Sequence, residues 1–176
     1  DRYIASLNNF FGACASLKKY TECESLVEEI QKIPASTSLE GEARIFCITL
    51  SMQISLYSYL GNYDKTLAVI EKDRIKYRQY KDLISEPVYY MTLYRMGIMY
   101  MINKEYSKAL DCLNEVISDA GLLRQDTQTH SRIVSLIIHF EINNIDILPY
   151  LIRSAYRWLS KKERLYKFEK RILSFM

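Results

Sequence analysis

Glycine and proline are scarce in this chain, with five and three among 176 residues. Folds built from many tight turns draw on both, because glycine supplies positive φ and proline pre-sets φ. Their scarcity excludes an all-β architecture rich in hairpins, and no collagen-like or mucin-like bias is present. Paired cysteine motifs are also missing. Cys14, Cys23, Cys47 and Cys112 form no C-x-x-C pair, which removes the usual zinc and thioredoxin-like readings. Their spacing is irregular, and a chain of this size can stabilise itself without disulfides. Free, mostly buried thiols in a reducing, cytoplasmic compartment are expected. H-E-x-x-H, G-x-S-x-G, P-loop and G-x-G-x-x-G motifs are absent too. No secretory leader is visible. The first residue is Asp1 rather than Met, so a longer protein with a leader or a preceding domain is expected.

What is present is apolar and evenly charged. Hydrophobic residues make up 49% and charged residues 26%, which excludes a disordered chain. A single domain spanning 1–176 is expected, hiding roughly 70% of its unfolded surface. The net charge of +3 is mild but uneven. From Tyr150 onward eight basic residues face only Glu163 and Glu169, so this segment carries +6 and the rest −3. The 19 residues Ile45–Tyr63 carry no charge, the length of a membrane span. Thr49, Ser51, Gln53, Ser55, Ser58 and Asn62 within it would be costly in hydrocarbon. It therefore reads as a helix buried on most sides, and no membrane span is expected.

Helical periodicity dominates, broken by short polar turns at Lys18-Lys19-Tyr20, Gly61-Asn62-Tyr63, Lys104-Glu105-Tyr106 and Asn143-Asn144-Ile145. The anchors Tyr20, Tyr63, Tyr106 and Ile145 lie 43, 43 and 39 residues apart. A fixed period of this kind marks a helical solenoid. Four helix pairs are expected, at about 2–17 and 20–33, 39–60 and 63–82, 87–102 and 105–119, and 126–142 and 145–160, followed by a helix at 163–175. Pro34 stops the first pair, Pro87 suits an early helical position, and Gly121 suits the C′ position. Asp146 is the expected N-cap that places Pro149 in a first turn.

The third pair resembles a tetratricopeptide repeat (TPR). With Tyr106 opening its second helix, Leu93, Met96, Gly97 and Tyr100 precede it, and Ala109, Leu113 and Val116 follow at the family's spacing. The second pair fits with Leu50, Tyr57, Gly61, Tyr63, Leu67 and Ile70, but Ile54 and Thr66 stand where Gly and Ala are expected. The family's repeat is about 34 residues, so these helices look extended, as in divergent bacterial members. The resemblance implies an all-α, right-handed α-solenoid of about four TPR-like helix pairs and a C-terminal capping helix. It places Gly97 and Ala109 where the paired helices cross closely. The cap would use Leu165, Phe168, Ile172 and Phe175 as its apolar edge.

Little in the sequence points to chemistry. His130 and His139 are nine residues apart on one expected helix, on opposite sides, so they cannot share a metal there. His139 reads as a core histidine. Cys14 and Cys23 map to packing positions rather than to a nucleophile. Glu22, Glu24, Glu28 and Glu29 read as a solvated face. No enzyme activity, cofactor or metal is expected.

Surface remains. The resemblance implies a concave groove bearing Asn8 and Gly12, then Ser51, Ser55 and Tyr59, then Met91, Tyr94, Ile98 and Met101, and finally His130, Ile133 and Ile137. Chaperone-binding members hold a peptide carboxylate with Lys and Asn at such positions, and only Asn8 matches. The Met91–Tyr94–Ile98–Met101 stripe suits an apolar peptide or helix, and superhelical curvature would instead make it core. A basic face of Arg153, Arg157, Lys161, Arg164, Lys167 and Arg171 with Tyr156, Trp158 and Tyr166 interleaved is compatible with nucleic acid. The favoured expectation is a scaffold for a protein or peptide partner. The alternative is a sensory module of a bacterial transcription regulator, its basic end meeting nucleic acid or another anionic partner. An uncapped solenoid end would also suit a homodimer.

Overall fold

The computed structural model describes residues 2–34, 36–118, 125–162 and 167–175, without the side chains of Phe168 and Phe175. Among them there is no strand. The described residues form nine α-helices: α1 Arg2–Ser16, α2 Tyr20–Gln31, α3 Leu39–Tyr59, α4 Tyr63–Gln79, α5 Glu86–Ile102, α6 Tyr106–Ser118, α7 Gln125–Glu141, α8 Leu148–Lys161 and α9 Lys167–Phe175. A 3-10 turn, Lys81–Leu83, follows α4.

The hairpin turns repeat in geometry as well as in sequence. Lys18, Gly61, Lys104 and Asn143 all have φ between 57° and 70°. The amide after each donates to a carbonyl five residues back: Lys19 to Cys14, Asn62 to Tyr57, Glu105 to Tyr100 and Asn144 to His139. The left-handed residue itself donates three residues back, to Ala15, Ser58, Met101 and Phe140. This is the Schellman closure, which satisfies carbonyls that a helix end leaves bare. In the first three hairpins the next helix opens two residues later. In the fourth it opens at Leu148, not at Ile145. Ile145 is 60% exposed in an added turn. Asp146 is not the cap either: Ile147 holds that position without a side-chain bond, and Pro149 sits in the first turn.

The chain forms two compact units, Asp1–Arg95 and Met96–Met176. In the first, Ile4, Leu7, Phe11 and Cys14 repeat at helical spacing along α1. They pack on Cys23, Leu26, Val27 and Ile30 of α2 and on Met52 and Leu56 of α3. Each fully buried aliphatic of this kind stabilises by about 1.5–3 kcal/mol. No residue of Ile45–Ser58 is exposed. Its hydroxyls are accommodated by bonds back along the helix, from Thr49 Oγ1 to Ile45 O and from Ser55 Oγ to Ser51 O, each 2.8 Å. Such a helix needs no membrane, and among the described residues no helix is long and apolar enough to cross one. Ser38 caps α3 through Gly41 N, and Asn62 caps α4 through Lys65 N. Tyr77 stacks on Tyr89 at 5.3 Å, and its hydroxyl donates to Tyr89 O at 3.1 Å. Burial pushes the Tyr77 phenol well above its ordinary pKa.

In the second unit, Ala109, Cys112, Leu113 and Val116 are the buried face of α6, which packs on α7. A Cβ on Gly97 would meet Leu113 Cγ at 3.0 Å. A side chain there would push Leu113 aside by a few tenths of an ångström, so α5 and α6 approach closely at Gly97. Leu136, Leu148, Ala155 and Leu159 join Leu173 of α9 in one apolar cluster. Ile172 is half-buried. Leu165, Tyr166 and Gly121 lie outside the described residues. Trp158 packs against the cluster, and the Arg132 guanidinium lies 4.6 Å from its ring.

Candidate binding surfaces

The α1 positions Asn8 and Gly12 are exposed. On α3, Ser51 is half-buried, Ser55 is buried, and Tyr59 is exposed and stacked on Tyr20 at 6.1 Å. Ser51 Oγ accepts from Arg95 Nη1 at 2.7 Å. Periodicity missed Arg95, because it stands one place from the stripe. Burial holds its guanidinium below the ordinary arginine range, and no carboxylate of the described residues pairs with it. Arginine carries five donors, and this bond uses one of them.

Helix α5 carries two apolar sets. Tyr89, Tyr90, Leu93, Met96 and Tyr100 are almost wholly buried. Met91, Tyr94, Ile98 and Met101 are half-buried, and burial raises the Tyr94 phenol pKa. On α7, His130 is exposed, Ile133 is buried and Ile137 is half-buried. Ser55 and Ile133 therefore present almost no surface to a partner, because neighbouring helices have already covered them.

The basic residues divide. Arg153 and Arg157 of α8 and Lys170 of α9 line a cleft of about 980 Å³ with Tyr150, Tyr156 and Leu173. The Arg153 guanidinium lies 4.9 Å from the Tyr150 ring, and Arg157 Nε donates to Arg153 O at 3.4 Å. Lys161, Lys167 and Arg171 are exposed outside its lining, and Arg164 lies outside the described residues. Lys170 was not in the expected face. Its place is set by how α9 docks through Leu173, which no one-helix pattern encodes.

Chemistry finds few converging groups. Among the described residues no three His, Cys, Asp or Glu come together as a metal site would need. All four cysteines are buried and none is in a disulfide. Desolvation pushes the Cys47 thiol pKa up to about 12, the opposite of an activated nucleophile. His139 is half-buried, with its Nδ1 3.2 Å from the Asn144 amide nitrogen, and burial lowers its pKa. Glu22, Glu24, Glu28 and Glu29 are exposed; Glu22 pairs with Lys19 at 3.7 Å and Glu29 accepts from Tyr3. No family model, curated protein or solved structure matches the chain.

Proposed function

We propose that the chain is a non-enzymatic, TPR-like helical-repeat scaffold that binds a protein or peptide. In this reading about four helix pairs form a right-handed solenoid, α9 caps it, and four buried cysteines without a disulfide suit a reducing, cytoplasmic setting. The repeated Schellman hairpins support the repeat. The observation that carries the binding function is the second apolar set on α5. A helix sealed into a core would bury Met91, Tyr94, Ile98 and Met101 as fully as it buries Leu93 and Met96. They are instead left half-covered, and methionine adapts to irregular apolar partners. Arg95, held by Ser51, offers an adjacent cation to an acidic side chain of the same peptide.

Peptides selected on the protein from a random displayed library are expected to lose at least tenfold in affinity for Tyr94→Glu and for Met91→Glu. The far-UV spectrum should be unchanged. Equal affinity in both variants would overturn the α5 groove. A turnover abolished by one polar substitution would overturn the non-enzymatic reading. A second reading, a regulatory module of a longer transcription regulator, draws on the cationic α8–α9 cleft.

A further inference from the structure

The α8–α9 cleft is distinct from the α5 stripe, and its chemistry is different. Arg153 and Arg157 sit one helical turn apart on α8, and Lys170 faces the same cleft from α9. Among the described residues no carboxylate is in its lining. Of the two acids in this segment, Glu169 is 6% exposed and is not in the lining, and Glu163 lies outside the described residues. Among the described residues the three cations thus line the cleft without a carboxylate beside them.

Two aromatic rings flank them. Tyr150 is 67% exposed and Tyr156 is 49% exposed. One face of the Tyr150 ring carries the Arg153 guanidinium, and a cation on one face of a ring leaves the other for stacking. Solvent-facing tyrosines interleaved with cations along a groove match the two needs of an unpaired polynucleotide. Its phosphates need cations, and its bases need flat apolar faces. A duplex would present phosphates alone, its bases being stacked inside. An acidic peptide would satisfy the cations but leave both rings uncovered. A bilayer is flat on this scale and would meet a protruding apolar edge better than a recess of about 980 Å³.

We propose that the α8–α9 cleft binds single-stranded nucleic acid, with phosphates on Arg153, Arg157 and Lys170 and bases stacked on Tyr150 and Tyr156. This inference does not rest on the peptide reading, and either can fail alone.

The test is fluorescence anisotropy of the whole chain with labelled 12-nucleotide oligo(dT) and oligo(rU) across a salt series. Binding should weaken linearly in log–log form with a slope of about −2, the value for three phosphate contacts on a single strand. Arg153→Gln with Arg157→Gln and Lys170→Gln should weaken binding at least tenfold and flatten the slope. Tyr150→Ala with Tyr156→Ala should also weaken it at least tenfold while leaving the slope unchanged, because stacking releases no counterions. All five side chains lie on the surface of the cleft, so a preserved melting profile keeps these comparisons valid.

Absence of oligonucleotide binding at low salt overturns the proposal. So does tyrosine-independent binding, with poly-glutamate or heparin competing as well as the oligonucleotide, since the site would then read charge alone. Binding to phosphatidylserine-containing vesicles but not to oligonucleotides would assign the cleft to a membrane surface, and would equally overturn it.

Discussion

At the scale of single residues, the four turn positions are one device filled by different side chains. Gly61 meets the left-handed requirement without a Cβ, Asn143 tolerates it, and Lys18 and Lys104 adopt it against their preference. Gly61 has open space around a would-be Cβ, so only backbone strain opposes a side chain there. Gly61→Ala is expected to lower stability by about 1 kcal/mol in urea unfolding, and Lys104→Gly to raise it by about 0.5–1 kcal/mol. His139 gives a pH dependence of known sign. Its folded pKa is lowered, chiefly by burial, and the neutral ring can accept from Asn144 through Nδ1, which protonation would block. The unfolded chain therefore takes up the proton first. Stability is complete above the unfolded value of about 6.5 and falls as pH drops through the lowered folded value. His139→Gln should remove that acid slope in urea titrations run between pH 7.5 and 5.

At the scale of elements, helix positions were legible because apolar spacing and turn composition agreed. The expected 39–60 and 87–102 differ from α3 and α5 by one residue at one end. What was not legible involves partners. The expected helix from 145 met a pattern that Ile145 and Ile147 support, yet Pro149 confines the start to one turn before itself, because a later proline would remove a helical bond. The Lys81–Leu83 turn ends the expected 63–82 helix early; Tyr80 is held there, its hydroxyl donating to Glu42 Oε1 at 2.7 Å. The candidate surfaces follow the same division. The α5 stripe could be read from spacing, while Arg95 and Lys170 could not, since their roles come from Ser51 and from the seat of α9. The Gly97 crossing was readable, and it makes a sharp test. Leu113 is fully buried and has little freedom to move aside. Gly97→Ala should destabilise by about 1–3 kcal/mol, overpacking outweighing the roughly 1 kcal/mol gain in helix propensity. A stability equal to or above that of the parent would show that the helices part without penalty.

At the scale of the whole molecule, the boundary between the two compact units falls at Arg95–Met96, inside α5. The chain passes from one unit to the other without leaving the helix, so neither unit can melt without fraying a helix the other uses. Helix formation is cooperative along the chain, and repeat arrays are coupled through nearest neighbours. One transition is therefore expected rather than two. Trp158 is the sole tryptophan, and its surroundings lie entirely in the second unit. Its fluorescence should follow the same urea midpoint as far-UV ellipticity, which reports helices of both units. Replacing Arg95 and Met96 together by glycine weakens the shared helix by roughly 1 kcal/mol per position, in addition to the packing Met96 loses. That variant should pull the two midpoints apart. Separate midpoints in the parent chain would mean that α5 does not couple the units. Coincident midpoints in the glycine variant would mean that contacts other than helix continuity carry the coupling.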